Sequence, residues 1–192
     1  MGREYELKYQ AGADVLSALA DQYGPMEQIH METAYFDTPS GALHRRKWML
    51  RLRKENGKCV CTLKVPLPDG SRGEWETGEA DLSIAVGRLL ALGCPEALAG
   101  LAREGLAQMC AARFTRLANR LPVGSSTVEL ALDQGQLLAG ERSLPISELE
   151  IELKAGREAD CAAFAKELSA RFQLEPEPRS KAQRAFSLTD EK

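Results

Sequence analysis

Segments that alternate charged and apolar residues recur along this chain, and they constrain its fold more than any other feature. The clearest is 148–153, where glutamates alternate with Leu149, Ile151 and Leu153. Because successive side chains of a β-strand point to opposite faces, such a segment has one charged face and one apolar face. The same alternation recurs in residues 4–9, 50–54, 60–64 and 73–78. The pattern predicts a sheet with one covered face and one densely charged face.

Turn signals and helical periodicity separate these strands. Asn56-Gly57 is a strong hairpin signal between two alternating runs. Amphipathic spacing of apolar residues predicts helices over Gly12–Tyr23, Asp81–Leu92, Glu96–Ala102 and Glu158–Phe172, with short helices near Ala42–Arg46 and after Ser180. About eight strands with intervening helices indicate an α+β protein built on a barrel or strongly curved antiparallel sheet. The helices are expected to cover its apolar outside.

The composition limits the classes of protein to consider. The 192 residues are expected to form one domain, 1–192. The formal net charge of −3 argues against a general nucleic-acid binder. The sequence contains no apolar run of about 18 residues that would predict a membrane span and no signal-peptide core. Five cysteines without zinc-ligand spacing predict a reducing, cytoplasmic location.

The charged faces segregate acids from bases. Alternating positions carry mostly glutamate in some strands and arginine or lysine in others. The acids are Glu4, Glu6, Glu74, Glu76, Glu148, Glu150 and Glu152, and the bases are Lys8, Arg51, Arg53 and Lys64. The alternative interpretation is the solvated face of an ordinary antiparallel sheet. Like charges two residues apart destabilise a strand, however, and proteins accept such conflicts mainly at functional sites.

Together, these residue types predict a site for a metal-bound phosphate compound. Carboxylates without histidine or cysteine suit Mg²⁺ or Mn²⁺. Arginine forks and lysine ammonium groups suit phosphate oxygens. His30 and His44 do not fit the strand phase of the charged faces, so both are interpreted as structural or surface residues. The sequence carries no P-loop, GxGxxG or GxSxG motif that would favour another class of site.

The ordered set of motifs resembles the CYTH, or triphosphate tunnel metalloenzyme, superfamily over essentially the whole chain. Glu4-x-Glu6-x-Lys8 matches its ExExK signature. The further matches are Tyr35–Pro39, Arg51-Leu52-Arg53, Thr62-Leu63-Lys64, Glu74-Trp75-Glu76, Ala131–Gly135, Glu148–Glu152 and Ser180–Arg184. The resemblance implies an eight-stranded antiparallel β-barrel that forms a tunnel, with hydrolysis or cyclisation at a triphosphate.

The resemblance also implies roles for individual residues. Glu4, Glu6 and Lys8 are predicted to be catalytic. The predicted phosphate-binding residues are Lys8, Arg51, Arg53, Lys64, Arg116 and Lys181, with Arg113 and Arg120 as alternatives to Arg116. The predicted metal ligands or water-orienting groups are Glu4, Glu6, Glu76, Asp133, Glu148, Glu150 and Glu152. Glu74 competes with Glu76 for one role, and Glu148 is either a spare acid or a neighbour of the ligands.

Within the superfamily, residues 131–156 look most similar to the inorganic triphosphatase branch. The leading prediction is Mg²⁺- or Mn²⁺-dependent hydrolysis of inorganic triphosphate to pyrophosphate and phosphate. The partner is then a small triphosphate, with no nucleic acid or membrane, and the chain is a monomer or homodimer. The enzyme alternatives are a class IV-type adenylyl cyclase and a thiamine triphosphatase. The non-enzyme alternative is a polyphosphate- or nucleotide-binding module.

Overall fold

One antiparallel β-sheet organises the computed structural model, which describes residues 5–67 and 72–190. The strands are β1 (Glu6–Gln10), β2 (Glu27–Asp37), β3 (Met49–Glu55), β4 (Lys58–Pro66), β5 (Arg72–Thr77), β6 (Ala107–Val123), β7 (Ser126–Ala139), β8 (Arg142–Ala155) and β9 (Glu175–Pro176). The helices are α1 (Ala13–Tyr23), α2 (Ala42–Arg45), α3 (Leu82–Ala91), α4 (Ala97–Arg103), α5 (Glu158–Phe172) and α6 (Lys181–Asp190). The predicted α+β class is confirmed.

The strand order is β5-β4-β3-β2-β6-β7-β8-β1-β9, so the first strand is inserted near one edge of the sheet. The sheet curves around a cavity that is lined by residues of β1 through β8. The predicted tunnel architecture is confirmed, and two details differ from an eight-stranded barrel. The two-residue strand β9 pairs with β1 at Tyr9 and Gln10 and so adds a further strand to this edge of the sheet. The terminal strands β5 and β9 do not pair with each other in the described part of the chain, so the sheet stays open there.

The β3–β4 hairpin forms where the sequence predicts it. Asn56 and Gly57 both have positive φ angles, of 48° and 84°, as a two-residue turn that matches the strand twist requires. The Asn56 side-chain oxygen also accepts a hydrogen bond of 2.9 Å from the backbone N–H of His30. This turn sets the register that pairs Arg51 with Thr62 and Arg53 with Val60. The hairpin therefore fixes which β3 side chains face the cavity.

Apolar clusters on the outer face of the sheet hold five helices in place. Leu16 and Leu19 of α1, with Phe164 and Leu168 of α5, pack on the apolar side of β1, β7 and β8. Helices α2, α3 and α4 cover the corresponding side of β3–β5 in a second cluster. This arrangement follows from the strand alternation, because apolar area buried here is removed from water at roughly 25 cal/mol per Å². None of the helices within the described ranges is long and apolar enough to cross a membrane.

Helix α6 differs from the expectation that the helices pack on the outside, because it lies against the cavity face. Its Ala185 and Leu188 belong to a third apolar cluster with residues of β2, β6, β7 and β8. Close approach of β6 and β7 beneath it depends on Gly135, which pairs with Phe114. A Cβ atom on Gly135 would lie 2.1 Å from the carbonyl oxygen of Arg113, so only glycine fits. Sequence periodicity predicts this helix but not the face on which it lies.

Candidate active site

The inner face of the curved sheet encloses a charged cavity of about 1850 Å³. Charged side chains of eight strands and of α2 and α6 line it. They are Glu6, Lys8, Glu27, Arg45, Arg51, Arg53, Glu55, Lys64, Arg72, Glu74, Arg116, Arg120, Glu129, Glu150, Glu152, Lys154 and Lys181, together with Lys47 of the α2–β3 loop. Alternation on the strands explains the density of charge, since every second residue faces inward. The cavity therefore unites the charged faces that the sequence predicts.

Strands β3 and β4 supply a wall of positive charge. Arg53 donates from Nε to the Thr33 hydroxyl at 3.0 Å and lies 3.6 Å from Glu55. Lys64 forms an ion pair of 3.1 Å with Glu74. Arg51 has no carboxylate within ion-pair distance in the described part of the chain, and its buried Nε has no hydrogen-bond partner there. Burial, followed by the neighbouring Arg53 charge, lowers the pKa of Arg51.

The opposite wall contains a buried group of paired charges, which we name the ionic cluster. It consists of Asp133, Glu148, Glu150, Arg116, Lys181 and Arg184. Lys181 Nζ lies 2.7 Å from an oxygen of Asp133 and 2.7 Å from an oxygen of Glu150, and it also contacts Glu148. Arg116 binds Asp133 through two hydrogen bonds of 2.8 and 2.7 Å and contacts Glu150. Arg184 pairs with Glu148.

Three carboxylates and three cations pair with one another in the ionic cluster. Burial alone would raise the pKa of Glu150, but the charges of Lys181 and Arg116 hold it well below its usual value. Burial likewise opposes the charge of Lys181, while Glu150, Asp133 and Glu148 keep its pKa raised. Buried charges of this kind are tolerated only when each has a close partner. The cluster therefore anchors α6 to the sheet.

A second acidic group, which we name the acid row, crosses three neighbouring strands. Glu6 pairs with Glu152 across β1 and β8, and Glu152 pairs with Glu129 across β8 and β7. Like charges directly opposite one another repel, so the row requires positive charge nearby. Lys154 supplies some of it, at 2.8 Å from Glu152 and 3.3 Å from Glu129. Lys8 lies 3.3 Å from Glu6.

Within the described residues, one group of carboxylates has oxygens close enough together to hold a metal ion. In the ionic cluster, carboxylate oxygens of Asp133, Glu148 and Glu150 lie within 4.8 Å of one another. That space is shared with Lys181, whose ammonium group already neutralises them. The acid row faces the cavity and offers only carboxylate oxygen, which hard divalent cations prefer. The oxygens of the acid row do not converge within that distance, so its carboxylates would have to turn towards a metal ion to bind it.

Most of the predicted site residues come together around the cavity, although some do not. Glu4 lies outside the described residues. Asp133 and Glu148 are buried in the ionic cluster rather than exposed on the cavity surface. On β5, Glu74 lines the cavity, whereas Glu76 accepts a hydrogen bond of 2.8 Å from Thr62. Among the competing arginines, Arg113 points away, Arg120 lies exposed at one end, and Arg116 contacts the acids.

Several residues at the cavity were given no role from the sequence. Glu129 could have been found by alternation, since it shares a strand face with Ala131 and Asp133. Arg184 enters the ionic cluster because it lies one helical turn after Lys181. Tyr35 lines the cavity, and burial raises its pKa despite the nearby charges of Arg53, Arg51 and Lys181. His44, interpreted as structural or surface, also lines it and stacks on Phe186.

A curved antiparallel sheet with charged residues inside and most of its helices outside defines the tunnel class of fold. The CYTH domain family matches residues 2–186, and the chain belongs to this family. Among curated proteins it is 29% identical over 166 residues to an inorganic triphosphatase of Haemophilus influenzae. The match covers 84% of this chain and 47% of that protein, so the chain spans about half the length of this relative.

Solved structures share the fold at low sequence identity. A putative adenylyl cyclase from Hippeastrum, described as having a dominant triphosphatase activity, aligns with a TM-score of 0.61 and 18% identity. That alignment covers 98% of this chain and 95% of the other. A putative adenylate cyclase from Bacillus halodurans aligns with a TM-score of 0.59 and 20% identity, covering 96% and 98% of the two chains. These similarities support the tunnel fold.

Proposed function

We propose that this protein hydrolyses inorganic triphosphate to pyrophosphate and phosphate with the help of Mg²⁺ or Mn²⁺. The observation that carries the proposal is Arg51, a half-buried side chain that lines the cavity, whose buried Nε has no hydrogen-bond partner and which has no carboxylate within ion-pair distance among the described residues. A buried polar group without a partner is costly, and here a phosphate oxygen would satisfy it. The inorganic triphosphatase relative supports the choice of substrate.

The cations of the cavity would hold the phosphate chain. Arg51 and Arg53 lie two residues apart on one strand, and Lys64 extends from the next strand. Guanidinium groups bind phosphate oxygens through two parallel hydrogen bonds, which orients the transferred group. These cations would also stabilise the negative charge that develops during phosphoryl transfer. The stabilisation is strong because the groups are already in place and shielded from water. Lys8 would contribute from the acid-row side.

The acid row supports the proposed use of a metal ion. Glu6, Glu129 and Glu152 would hold it, with Glu4 and Glu150 as further candidates. A bound divalent ion would neutralise phosphate charge and favour attack by water. The carboxylates left uncoordinated would accept a hydrogen bond from that water and so orient it. Lys154 and Lys8 lie within ion-pair distance of Glu152 and Glu6 and partly neutralise the same acids.

The structure also supports the proposed organisation of the chain. The nine strands within residues 5–67 and 72–190 belong to one sheet, which agrees with residues 1–192 acting as a single CYTH domain. All five cysteines are free thiols, as expected for a reducing, cytoplasmic location. The proposed partner remains a small triphosphate. We propose that the chain acts as a monomer or homodimer.

Parallel product analysis tests the proposed reaction. Purified protein is incubated with inorganic triphosphate, ATP or thiamine triphosphate, each with Mg²⁺, Mn²⁺ or a chelator, and the products are identified. We expect metal-dependent release of phosphate and pyrophosphate, with triphosphate the best substrate. Cyclic AMP as the main product would replace the proposal by a cyclase. Preference for thiamine triphosphate would favour a thiamine triphosphatase. Binding of these compounds without turnover would favour a non-enzymatic binding module.

Arg53→Ala tests whether the β3 wall performs the reaction. Removing one fixed donor to a developing negative charge typically costs about 3–4 kcal/mol of barrier, or roughly 10²–10³-fold in kcat. Lys54→Ala is the matched control, because Lys54 is the next residue of β3 and lies exposed on the other face. Near-wild-type triphosphate turnover by Arg53→Ala would show that the site is assigned to the wrong wall.

A further inference from the structure

A β-bulge interrupts the pairing of β7 with β8 next to the acid row. Val128 of β7 pairs with Leu153 of β8. The preceding residue of β7, Thr127, pairs with Ala155, so Lys154 lies opposite no residue of β7 in the described register. A bulge of this kind changes the direction of the side chain of the unpaired residue. Because Lys154 lines the cavity, the bulge determines where its ammonium group lies at this end.

The backbone that follows the bulge is held in one position. Gly156 has a φ angle of 104°, in the region that favours glycine. A Cβ atom at Gly156 would clash with the Ser126 side chain, so this segment packs tightly on the β6–β7 turn. The N–H of Arg157 donates a hydrogen bond of 2.8 Å to the Ser126 hydroxyl oxygen. Lys154 therefore projects from a defined backbone.

Lys154 neutralises two acids of the row at once. Its Nζ lies 2.8 Å from an oxygen of Glu152 and 3.3 Å from an oxygen of Glu129. These two glutamates are directly opposite each other across β7 and β8, where like charges repel. Arg120 also approaches Glu129, at 3.4 Å, but 69% of its side chain is exposed, against 26% for Lys154. Since exposed ion pairs contribute little, Lys154 is the main counter-charge of Glu129 and Glu152 among the described residues.

The lysine of the ionic cluster is held more firmly than Lys154. Lys181 has a side chain that is only 7% exposed, and it contacts three carboxylates from a helix that the same contacts anchor. Lys154 contacts two carboxylates, and its partly exposed, flexible stem allows the ammonium group to turn into solvent. Lys154 can therefore leave its carboxylates, whereas Lys181 cannot do so without opening the ionic cluster.

We propose that Lys154 is the resident counter-ion of the acid row and that a divalent metal ion binds there by displacing it. The proposal rests on the proposed function and deepens it, because that function needs a metal ion on the same carboxylates. While Lys154 pairs with Glu129 and Glu152, the oxygens of the three acids of the row do not converge. Release of Lys154 frees two of these carboxylates to turn towards one ion. Lys154 is thus a positioning residue that sets the affinity of the row for metal.

Two effects of Lys154 on metal affinity have the same sign. The ammonium group repels a divalent ion that binds beside it, and its displacement breaks two ion pairs. Replacing Lys154 with an uncharged residue of similar length removes both costs. The metal-free variant also retains the repulsion between Glu152 and Glu129, which a bound ion would relieve. Affinity for metal should therefore rise in such a variant, whereas loss of a merely structural residue would lower it or leave it unchanged.

Lys154→Met tests the proposal. Mn²⁺ binding without substrate is measured by titration followed by electron paramagnetic resonance, and thermal unfolding is measured with chelator and with saturating Mn²⁺. For one positive charge removed from beside the ion, we expect the Kd of Mn²⁺ to fall about tenfold. The melting temperature should fall in chelator, and Mn²⁺ should raise it further than in the wild type. Lys154→Arg, which keeps the charge, and Lys166→Met, at an exposed position of α5, should bind Mn²⁺ like the wild type.

Glu152→Gln locates the titrated ion, because it should weaken Mn²⁺ binding when the ion occupies the acid row. Three results would overturn the proposal. They are absence of Mn²⁺ binding in the wild type, Mn²⁺ binding that Glu152→Gln leaves unchanged, and unchanged or weaker binding in Lys154→Met. Tighter binding in Lys154→Met, in a protein that does not hydrolyse triphosphate, would support the role of Lys154 while refuting the proposed reaction. Metal-dependent turnover with unchanged Mn²⁺ affinity in Lys154→Met would do the reverse.

Discussion

The two walls of the cavity differ in how their charges are neutralised. On the β7–β8 wall, the ionic cluster gives every buried carboxylate at least one cation, and α6 supplies two of those cations. On the β3 wall, the half-buried Arg51 has a buried Nε without a hydrogen-bond partner and no carboxylate within ion-pair distance among the described residues. The first arrangement contributes a fixed support for the cavity. The second leaves binding capacity for an anion that comes from outside, and we therefore locate recognition of the substrate there.

This difference predicts that substitutions on the two walls act on different properties. Removing one member of a buried ion pair leaves an uncompensated charge and destabilises the folded state. Removing a buried charge that has no partner leaves nothing unpaired and relieves a desolvation cost. Substitutions on the β7–β8 wall should therefore lower stability more than catalysis, whereas substitutions on the β3 wall should lower catalysis more than stability.

The largest effect on stability is expected from Lys181→Met on the β7–β8 wall. It leaves Asp133, Glu148 and Glu150 with only Arg116 and Arg184 as counter-charges. Loss of one partner of a buried ion pair costs about 3–5 kcal/mol of unfolding free energy, which urea denaturation would measure. Lys166→Met, at an exposed position of α5, is the control and should change stability little. An unchanged urea midpoint in Lys181→Met would show that α6 is not anchored by these charges.

The complementary result is expected from Arg51→Leu on the β3 wall. Triphosphate turnover should fall by roughly 10²–10³-fold, on the scale of a lost electrostatic donor, while the urea midpoint stays the same or rises. Steady-state kinetics and denaturation on the same preparation measure both. Arg51→Lys keeps the charge but not the two-pronged geometry, so it should recover only part of the activity. A strong loss of stability in Arg51→Leu would remove the distinction between the walls.

The smallest expected effect is a pH dependence of stability that arises from Glu177, a buried residue shortly before α6. Hydrogen bonds from Arg179, outweighing burial, lower the pKa of Glu177 to about 2 from an ordinary 4.5. Because the folded state lowers this pKa, its stabilisation is fully present above about pH 4.5 and is lost as the pH falls towards 2. Thermal unfolding across this range should show a steeper decline in the wild type than in Glu177→Gln. Parallel curves would mean that Glu177 does not contribute.

Strand and helix positions were predictable because the local patterns are strong. The alternation in 148–153 allows only a strand with one charged face, and α5 begins and ends at the predicted Glu158 and Phe172. Closure of the sheet could not be predicted, because it depends on twist accumulated over many strands. The cavity-side position of α6 was not predicted either, since an amphipathic helix pattern says which side is apolar but not what it faces.

The candidate site was predictable to the extent that strand phase determines it. Inward positions of β1, β3, β4 and β8 follow from alternation, so Glu6, Lys8, Arg51 and Glu152 all reach the cavity. Pairing between distant charges does not follow from alternation. The sequence therefore could not show that Glu150 is shared by Arg116 and Lys181, nor that Arg51 has no carboxylate partner in the described ranges.

The register between β1 and β8 has a consequence for synthesis of the chain. Glu6 pairs with Glu152 and Lys8 with Glu150, so the earliest strand has its neighbour in a segment translated much later. During synthesis the hairpins β3–β4, β6–β7 and β7–β8 can form from nearby residues, while β1 has to wait until β8 has been made. Such long-range pairing requires loop closure that local contacts do not compensate, which slows folding. We expect the acid row to be among the last parts of the protein to assemble on the ribosome.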